Sequence, residues 1–253
     1  MCLLILQYRT FADAPLLIAA NREEYFDRPS IAPAIQAGAP RVLCGRDARA
    51  GGTWLGVNEN GLVVGVTNRL RSPLPAEPRS RGLLCRELLH FSSAAAAADH
   101  AVRELESGKY AGANFLCADQ HHAFVVQFAE ALQVNELSPG LHLMTNWALD
   151  DRTDDRQLLA RYLFAARFPH SVDSFLERSA EICRQGPDAQ GRFGIVLRGA
   201  DRGTVSSTIL ALTRDPQRAV LWYADGAPDE VGYQDLSAAL RELLSESQLT
   251  RSA

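Results

Sequence analysis

Apolar residues along this chain come in short blocks, and their spacing predicts the elements. The first block, residues 2–6, is followed at once by Gln7, Tyr8 and Arg9. It is too short for a membrane span or the core of a signal peptide, and it predicts a buried strand at the very start. A second block, residues 16–20, follows after a turn that ends on Pro15. The two predict an antiparallel hairpin. Residues 21–29 are dense in charge and end on Pro29, which predicts a short helical turn or loop at the sheet edge. Residues 30–50, with Pro33, Gly38, Pro40 and Gly45, predict loops. Apolar residues at 54–57 and 62–66 flank Asn58-Glu59-Asn60-Gly61. An Asn-Gly pair tolerates positive φ, so this is a hairpin signal.

The period changes after the three prolines of residues 71–80. Leu83, Leu84, Leu88 and Leu89 share a helical face, and the alanine run that follows favours helix, so residues 81–107 are predicted helical. Strand-like blocks return at 114–118, 123–128, 132–136 and 141–145. Residues 151–166 and 171–184 open on acidic or hydroxyl side chains and predict helices. Strands are expected at 194–197, 205–213 and 219–224, and a last helix at about 234–245. Strands follow one another in runs, which predicts an α+β fold with antiparallel sheets covered by helices. With no repeat and no low-complexity linker, residues 1–253 are expected to form one domain.

Charge and cysteine usage narrow the functional classes. The 26 basic and 30 acidic residues give a net charge of −4. There is no global field for nucleic acid, and the basic residues form no groove-sized block. The five cysteines, at 2, 44, 85, 117 and 183, are odd in number and widely spaced, with no CxxC. That argues against a disulfide framework or a zinc ribbon and favours a reducing, cytoplasmic compartment. His121-His122 lacks partners at ligand spacing, so no metal is expected. The chain has no GxSxG, HExxH or GxGxxG, and no cofactor is expected.

Cys2 is the most pointed feature. Removal of Met1 would leave a thiol and a free α-amine on one residue, and the amine, with an ordinary pKa of about 7.7–8.0, can serve as base for its own nucleophile. The alternative is a small apolar residue opening a strand. Asn21-Arg22-Glu23-Glu24 lies at the end of the strand expected beside the first, so an amide, a guanidinium and a carboxylate pair project near Cys2. A solvated charged turn is the alternative. Asn68 and Asn146 each follow a threonine at a strand end. An asparagine amide is a good oxyanion donor, and it is equally a common turn residue. Tyr25, Trp54 and Trp147 are candidates for an apolar substrate pocket or for the core.

MCLLIL, LLIAANREEYFDRP, CGRDARAGGTWLGVNENGLVVGVTNRL, LHLMTN and GTVSST stand in one order along the chain. Together they resemble the NRDE family, also called the transport and Golgi organisation protein 2 family, over residues 2 to about 226. The name-giving motif reads Asn21-Arg22-Glu23-Glu24, with Glu in place of Asp at 23. The chain is also similar, more distantly, to N-terminal-nucleophile amidases of the penicillin V acylase and bile salt hydrolase type. That resemblance implies a four-layer αββα sandwich, Cys2 as nucleophile, and Asn68 and Asn146 as oxyanion or substrate support. It puts Glu24 in the place of a carboxylate and Asn21 in the place of an arginine. It leaves Arg22 to supply the missing cation, since Val205 stands where the family tends to carry arginine. The implied activity is hydrolysis of an amide or related acyl bond in a small molecule. The other implied reading is a non-catalytic binding or trafficking protein that handles haem, lipid or acyl-CoA. The substrate and the oligomeric state are not legible.

Overall fold

The structure, a computed structural model, describes residues 2–71, 73–188 and 194–251, with side chains described up to residue 245 of the final helix. The strands are β1 (Leu3–Tyr8), β2 (Leu16–Tyr25), β3 (Ser30–Gln36), β4 (Val42–Asp47), β5 (Leu55–Asn58), β6 (Val63–Asn68), β7 (Ala113–Ala118), β8 (Ala123–Phe128), β9 (Leu132–Glu136), β10 (Gly140–Met144), β11 (Arg202–Leu212), β12 (Val220–Ala224) and β13 (Gln234–Asp235). The helices are α1 (Arg81–Leu88), α2 (Ala94–Glu106), α3 (Asp155–Ala166), α4 (Val172–Cys183) and α5 (Ser237–Arg251). The chain divides into two compact units. One comprises Met1–Arg28 and Pro139–Ser237, the other Pro29–Ser138 and Ala238–Ala253. Each holds one antiparallel sheet, as the strand runs predict.

In the first unit the strand order is β10-β1-β2-β11-β12-β13. One face of the sheet carries Leu3 and Ile5 of β1, Leu17 and Ala19 of β2, and Ile209 and Ala211 of β11. They pack with Phe164 of α3 and Phe175 of α4 in one buried cluster. The two phenylalanine rings stack with centroids 6.1 Å apart. Side chains alternate along a strand, so the row of β2 that is apolar at Leu17 and Ala19 continues on the same face with Asn21 and Glu23.

This is where the sequence reading needs correction. The charged residues after Ala20 do not form a helical turn: β2 runs on to Tyr25, paired with β11 as far as Arg202↔Tyr25. A charge run reads as solvated turn only while its partners are unseen, and here they come from distant elements. The segment 194–197 is likewise not a strand. The Ile195 and Val196 N–H groups both donate to the Gln185 carbonyl, at 2.8 and 3.0 Å, so this backbone is satisfied by the end of α4 rather than by a ladder. The last helix starts at Ser237, after the short strand β13.

The second unit is a meander, β3-β4-β5-β6-β7-β8-β9, in which every neighbour in space is a neighbour in sequence order. Residues 30–50, expected as loops, supply β3 and β4. Pro33 lies where the β3–β4 register shifts, on an edge strand, where a missing N–H costs no ladder bond. Gly45 leaves room for a ring, since a Cβ there would come 2.8 Å from the Trp54 side chain. Leu84, Cys85 and Leu88 of α1 and Ala97, Ala98 and Ala101 of α2 pack on Val64, Val66, Phe115 and Cys117 of the sheet. The buried Asn58 ties the predicted hairpin to these helices. Its Nδ2 donates to the carbonyls of Leu89 and Phe91, at 2.9 and 2.8 Å, and its Oδ1 accepts from the N–H groups of Asn60 and Leu62.

Candidate active site

Antiparallel pairing brings four chain segments to one end of the first unit's sheet. They are the start of β1, the end of β2, the residues after β10 and the start of β11. The pairs Leu3↔Asn21, Leu4↔Met144 and Thr204↔Glu23 fix this register. One residue beyond the Leu3–Asn21 pair, Cys2 comes opposite Arg22. Cys2 is partly buried, with a free thiol. Burial pushes that thiol above its ordinary pKa, and the negative charge of Glu23 adds to the push; the Glu23 backbone N–H and the Arg22 guanidinium oppose it.

The NREE residues separate by strand alternation. Glu23 is 6% exposed and turns to the helix-covered face. There its Oε1 accepts from Arg156 Nη2 of α3 at 3.0 Å and from Thr204 Oγ1 of β11 at 3.2 Å. Burial raises its pKa, and Arg156 and Thr204 work against that rise. Asn21 lies in the same row, fully buried, and its Nδ2 donates to the Cys183 carbonyl at 3.0 Å. Through Nδ2 it supports the junction with α4, while its Oδ1 is buried without a partner among the described residues. Arg22 and Glu24 share the opposite parity, with Arg22 Nη2 3.7 Å from Glu24 Oε2. Glu24 is partly exposed, accepts from the Tyr25 N–H at 3.0 Å, and lies 3.9 Å from Arg28. The charge of Glu23, one residue before the position to which the resemblance assigned a carboxylate, also weighs on the Cys2 thiol.

Asn146 lies two residues past β10, and both its neighbours are anchored. The buried Thr145 hydroxyl bonds the Asp154 carboxylate and accepts from Gln157 Nε2 at 3.1 Å and from the Trp147 N–H at 3.3 Å. Asp154 is the N-cap of α3. Among the described residues, the Asn146 carboxamide oxygen is buried with no hydrogen-bond partner. A fixed amide with an unsatisfied polar atom at a sheet end is available to a ligand. Tyr25 and Trp147 are about half exposed, and the Arg202 guanidinium lies 5.5 Å from the Tyr25 ring centroid. Val205 falls at the register shift between Thr204 and Ser206, a β-bulge at the start of β11.

Two further candidates belong to the second unit. Asn68 is the last residue of β6, opposite Ala113, and Trp54 packs against that unit's core. No group of three or more metal-ligating side chains occurs among the described residues. Asp119, through Oδ1, accepts the backbone N–H groups of His121 and His122 at 2.7 and 2.9 Å, which makes the pair a turn. Among the described residues, no helix is long and apolar enough to cross a membrane.

Arg156 and Thr204 escaped the sequence reading. Thr204 lies inside the GTVSST string, but Arg156 has no local signal: only the fold carries the first turn of α3 to Glu23.

Residues 1–188 match the family described as Transport and Golgi organisation 2. The chain belongs to that family. The bovine Transport and Golgi organization protein 2 homolog is 38% identical over 77 residues, 29% of this chain and 28% of that protein. The human homolog is 32% identical over 109 residues, 41% of this chain and 38% of that protein. The matched stretches therefore span well under half the length of these relatives. In fold, the chain resembles penicillin V acylase from Agrobacterium tumefaciens, with a TM-score of 0.51 and 13% identity over 93% of this chain and 86% of that one. It also resembles a C2A variant of conjugated bile acid hydrolase from Clostridium perfringens, with a TM-score of 0.50 and 12% identity over 94% and 93%. Two antiparallel sheets with five helices make this an N-terminal-nucleophile-hydrolase-like fold. At such identities the likeness concerns the fold alone.

Proposed function

We propose that this Transport and Golgi organisation 2 family member is a cysteine N-terminal-nucleophile hydrolase that cleaves an amide or related acyl bond once Met1 is removed. The observation that carries the reading is the register that sets Cys2, at the start of β1, between the end of β2 with Asn21–Glu24 and the residues after β10 with Asn146. A bile acid hydrolase on the same fold was studied as a C2A variant, which favours a role for a second-position cysteine here. A thiol, unlike a thiolate, is a weak nucleophile and needs a base at the moment of attack. The α-amine of Cys2 takes the thiol proton as sulfur bonds to the carbonyl carbon. The same proton passes to the departing amine as the carbon–nitrogen bond breaks. Water then attacks the thioester, gives up a proton, and releases the acid and the thiol. The Asn146 carboxamide would steady the oxyanion.

The test is mass spectrometry of the purified protein, acid-quenched after exposure to N-acyl substrates. A chain that begins at Cys2 and gains the acyl mass, with no gain in Cys2→Ser, supports the reading. An intact Met1 in active preparations, or labelling unchanged by Cys2→Ser, removes it. The family description favours a second reading, a non-catalytic binding protein in transport; haem and an acyl-CoA are the ligands to try. Saturable binding of either ligand by a chain that turns over no acyl compound would select it.

A further inference from the structure

We propose that the cleft between α4 and the β12–β13 edge of the first unit's sheet binds an organic cation, a quaternary or methylated ammonium group carried by a small molecule. The site is separate from the chemistry at Cys2 and does not depend on it. Trp222 pairs with Ile209, so it belongs to the helix-covered face with Leu3 and Ile5. Cys2, one residue from Leu3, belongs to the opposite row.

The cleft has a volume of about 730 Å³, within the roughly 300–1,000 Å³ of small-molecule sites. Glu177, Ala180, Glu181 and Arg184 line it from α4, at the three- and four-residue spacing that sets side chains on one side of a helix. Ala180 is the short member and leaves the room. Trp222 and Tyr233 form the other wall, with ring centroids 6.4 Å apart and planes at 42°. Trp222 stands directly opposite Asp235 across the ladder, so indole and carboxylate leave the sheet side by side. Tyr233 is fixed at its far end, where its hydroxyl lies 2.7 Å from that of Ser207.

Charge decides what enters. Three carboxylates and one guanidinium line the cleft. The guanidinium is committed: Arg184 Nε donates to the Pro228 carbonyl at 3.1 Å, and its Cζ lies 5.1 Å from the Tyr233 ring centroid. Glu181 is committed too, since its Oε2 accepts from Arg167 and, at 2.9 Å, from Arg178 Nη1. Glu177 then offers a carboxylate from the helix, and Asp235 offers one from the sheet edge, where its Oδ1 accepts the Ser237 N–H at 2.8 Å. Aromatic faces between two carboxylates suit a cation whose charge is spread over methyl groups. The rings attract such a cation, and it needs no directed hydrogen bond. An anion would be repelled by the same carboxylates.

The experiment titrates the full chain by isothermal calorimetry with choline and with its uncharged carbon isostere, in which a tert-butyl group replaces the trimethylammonium. Choline is expected to saturate the protein at millimolar concentration and to bind about tenfold tighter than the isostere. Trp222→Leu is expected to weaken choline about tenfold. Glu177→Gln and Asp235→Asn, which keeps an oxygen for the Ser237 N–H, should each weaken it about threefold. Should Trp222→Leu fail to fold, the variant carrying both carboxylate changes takes its place, with a loss of about fivefold or more expected. No saturation by choline up to about 50 mM overturns the inference. So does equal binding of the isostere, or full affinity in both Trp222→Leu and the double carboxylate variant. Binding of inorganic phosphate in preference to choline also overturns it, because the cleft would then belong to Arg184.

Discussion

Gly52 and Gly82 meet backbone to backbone: a Cβ built on Gly52 would come 2.3 Å from the Gly82 carbonyl carbon and 2.5 Å from the Leu83 nitrogen. The GGTW segment thus uses its second glycine to seat the start of α1 on the second unit's sheet, and the Thr53 N–H donates to the Gly82 carbonyl at 2.9 Å. No rotamer change relieves a clash with main chain. Gly52→Ala is expected to cost about 3 kcal/mol or more, at or beyond the upper end of ordinary overpacking. Gly61→Ala, where nothing lies within 4 Å and only the φ of +80° resists, is expected to cost about 1–2 kcal/mol. Urea titration of the two variants side by side measures the difference; equal midpoints would refute it.

Asn58→Ala removes two donated and two accepted hydrogen bonds in a buried hairpin. The two stranded carbonyls and two N–H groups each cost about 1 kcal/mol or more, so a loss of about 4 kcal/mol or more is expected. Asn58→Asp keeps the two accepted bonds but sets a carboxylate oxygen against the Leu89 and Phe91 carbonyls, and should be no milder. Thermal unfolding with calorimetric enthalpies checks both.

Asp150 supplies a pH dependence in the first unit. Its carboxylate is bonded by His142 Nδ1 at 2.8 Å, by the Leu143 N–H at 3.0 Å and by Arg161 Nη2 at 2.7 Å. Burial pushes its pKa up, but these partners outweigh burial and leave it below the ordinary value. A depressed folded pKa means that this stabilisation is complete above the unfolded pKa of about 3.9 and is lost as the pH falls through the lower folded value. Asp150→Asn suits the φ of +54° here; it removes the charge and turns one acceptor oxygen into an NH2 donor. The variant should be about 1–3 kcal/mol less stable at pH 7, with the gap closing below about pH 3. A gap that is constant from pH 7 to pH 2.5 would count against it.

Asn146→Ala separates function from folding. Its amide oxygen has no partner to lose, so stability should change by no more than about 0.5 kcal/mol. Acyl transfer, if this site performs it, should slow by about 100- to 1,000-fold, as for loss of one oxyanion donor. Thr145→Val, which frees the loop from Asp154, should lower both stability and rate.

What the sequence made legible follows from how local each signal is. The hairpin around Asn60-Gly61 and the alanine-rich α2 are written in adjacent residues and stand where the pattern put them. Residues 21–25 were misread as a turn because Glu23 becomes a credible strand residue only once Arg156, 133 positions later, neutralises it. In a strand one place is the difference between opposite faces, so the register of β2, and not the motif alone, decides which of Glu23 and Glu24 turns to the helices. β3 and β4 were hidden by Pro33 and Gly45, whose roles at a bulge and under the Trp54 ring are tertiary. Cys2 stood out because its chemistry depends on its position in the chain and not on its neighbours.

The two sheets differ in when they can be completed. The seven-stranded meander pairs each strand with the next, so it can assemble as residues 30–136 leave the ribosome. β1 cannot: one flank waits for β10 at residues 140–144, and β2 beside it waits for β11 at residues 202–212. Through most of synthesis the segment carrying Cys2 therefore has at most a hairpin partner, and its leading end remains open to an aminopeptidase. Under the proposed removal of Met1, strand order would thus double as a timer that leaves Cys2 within reach of an aminopeptidase before the sheet is complete.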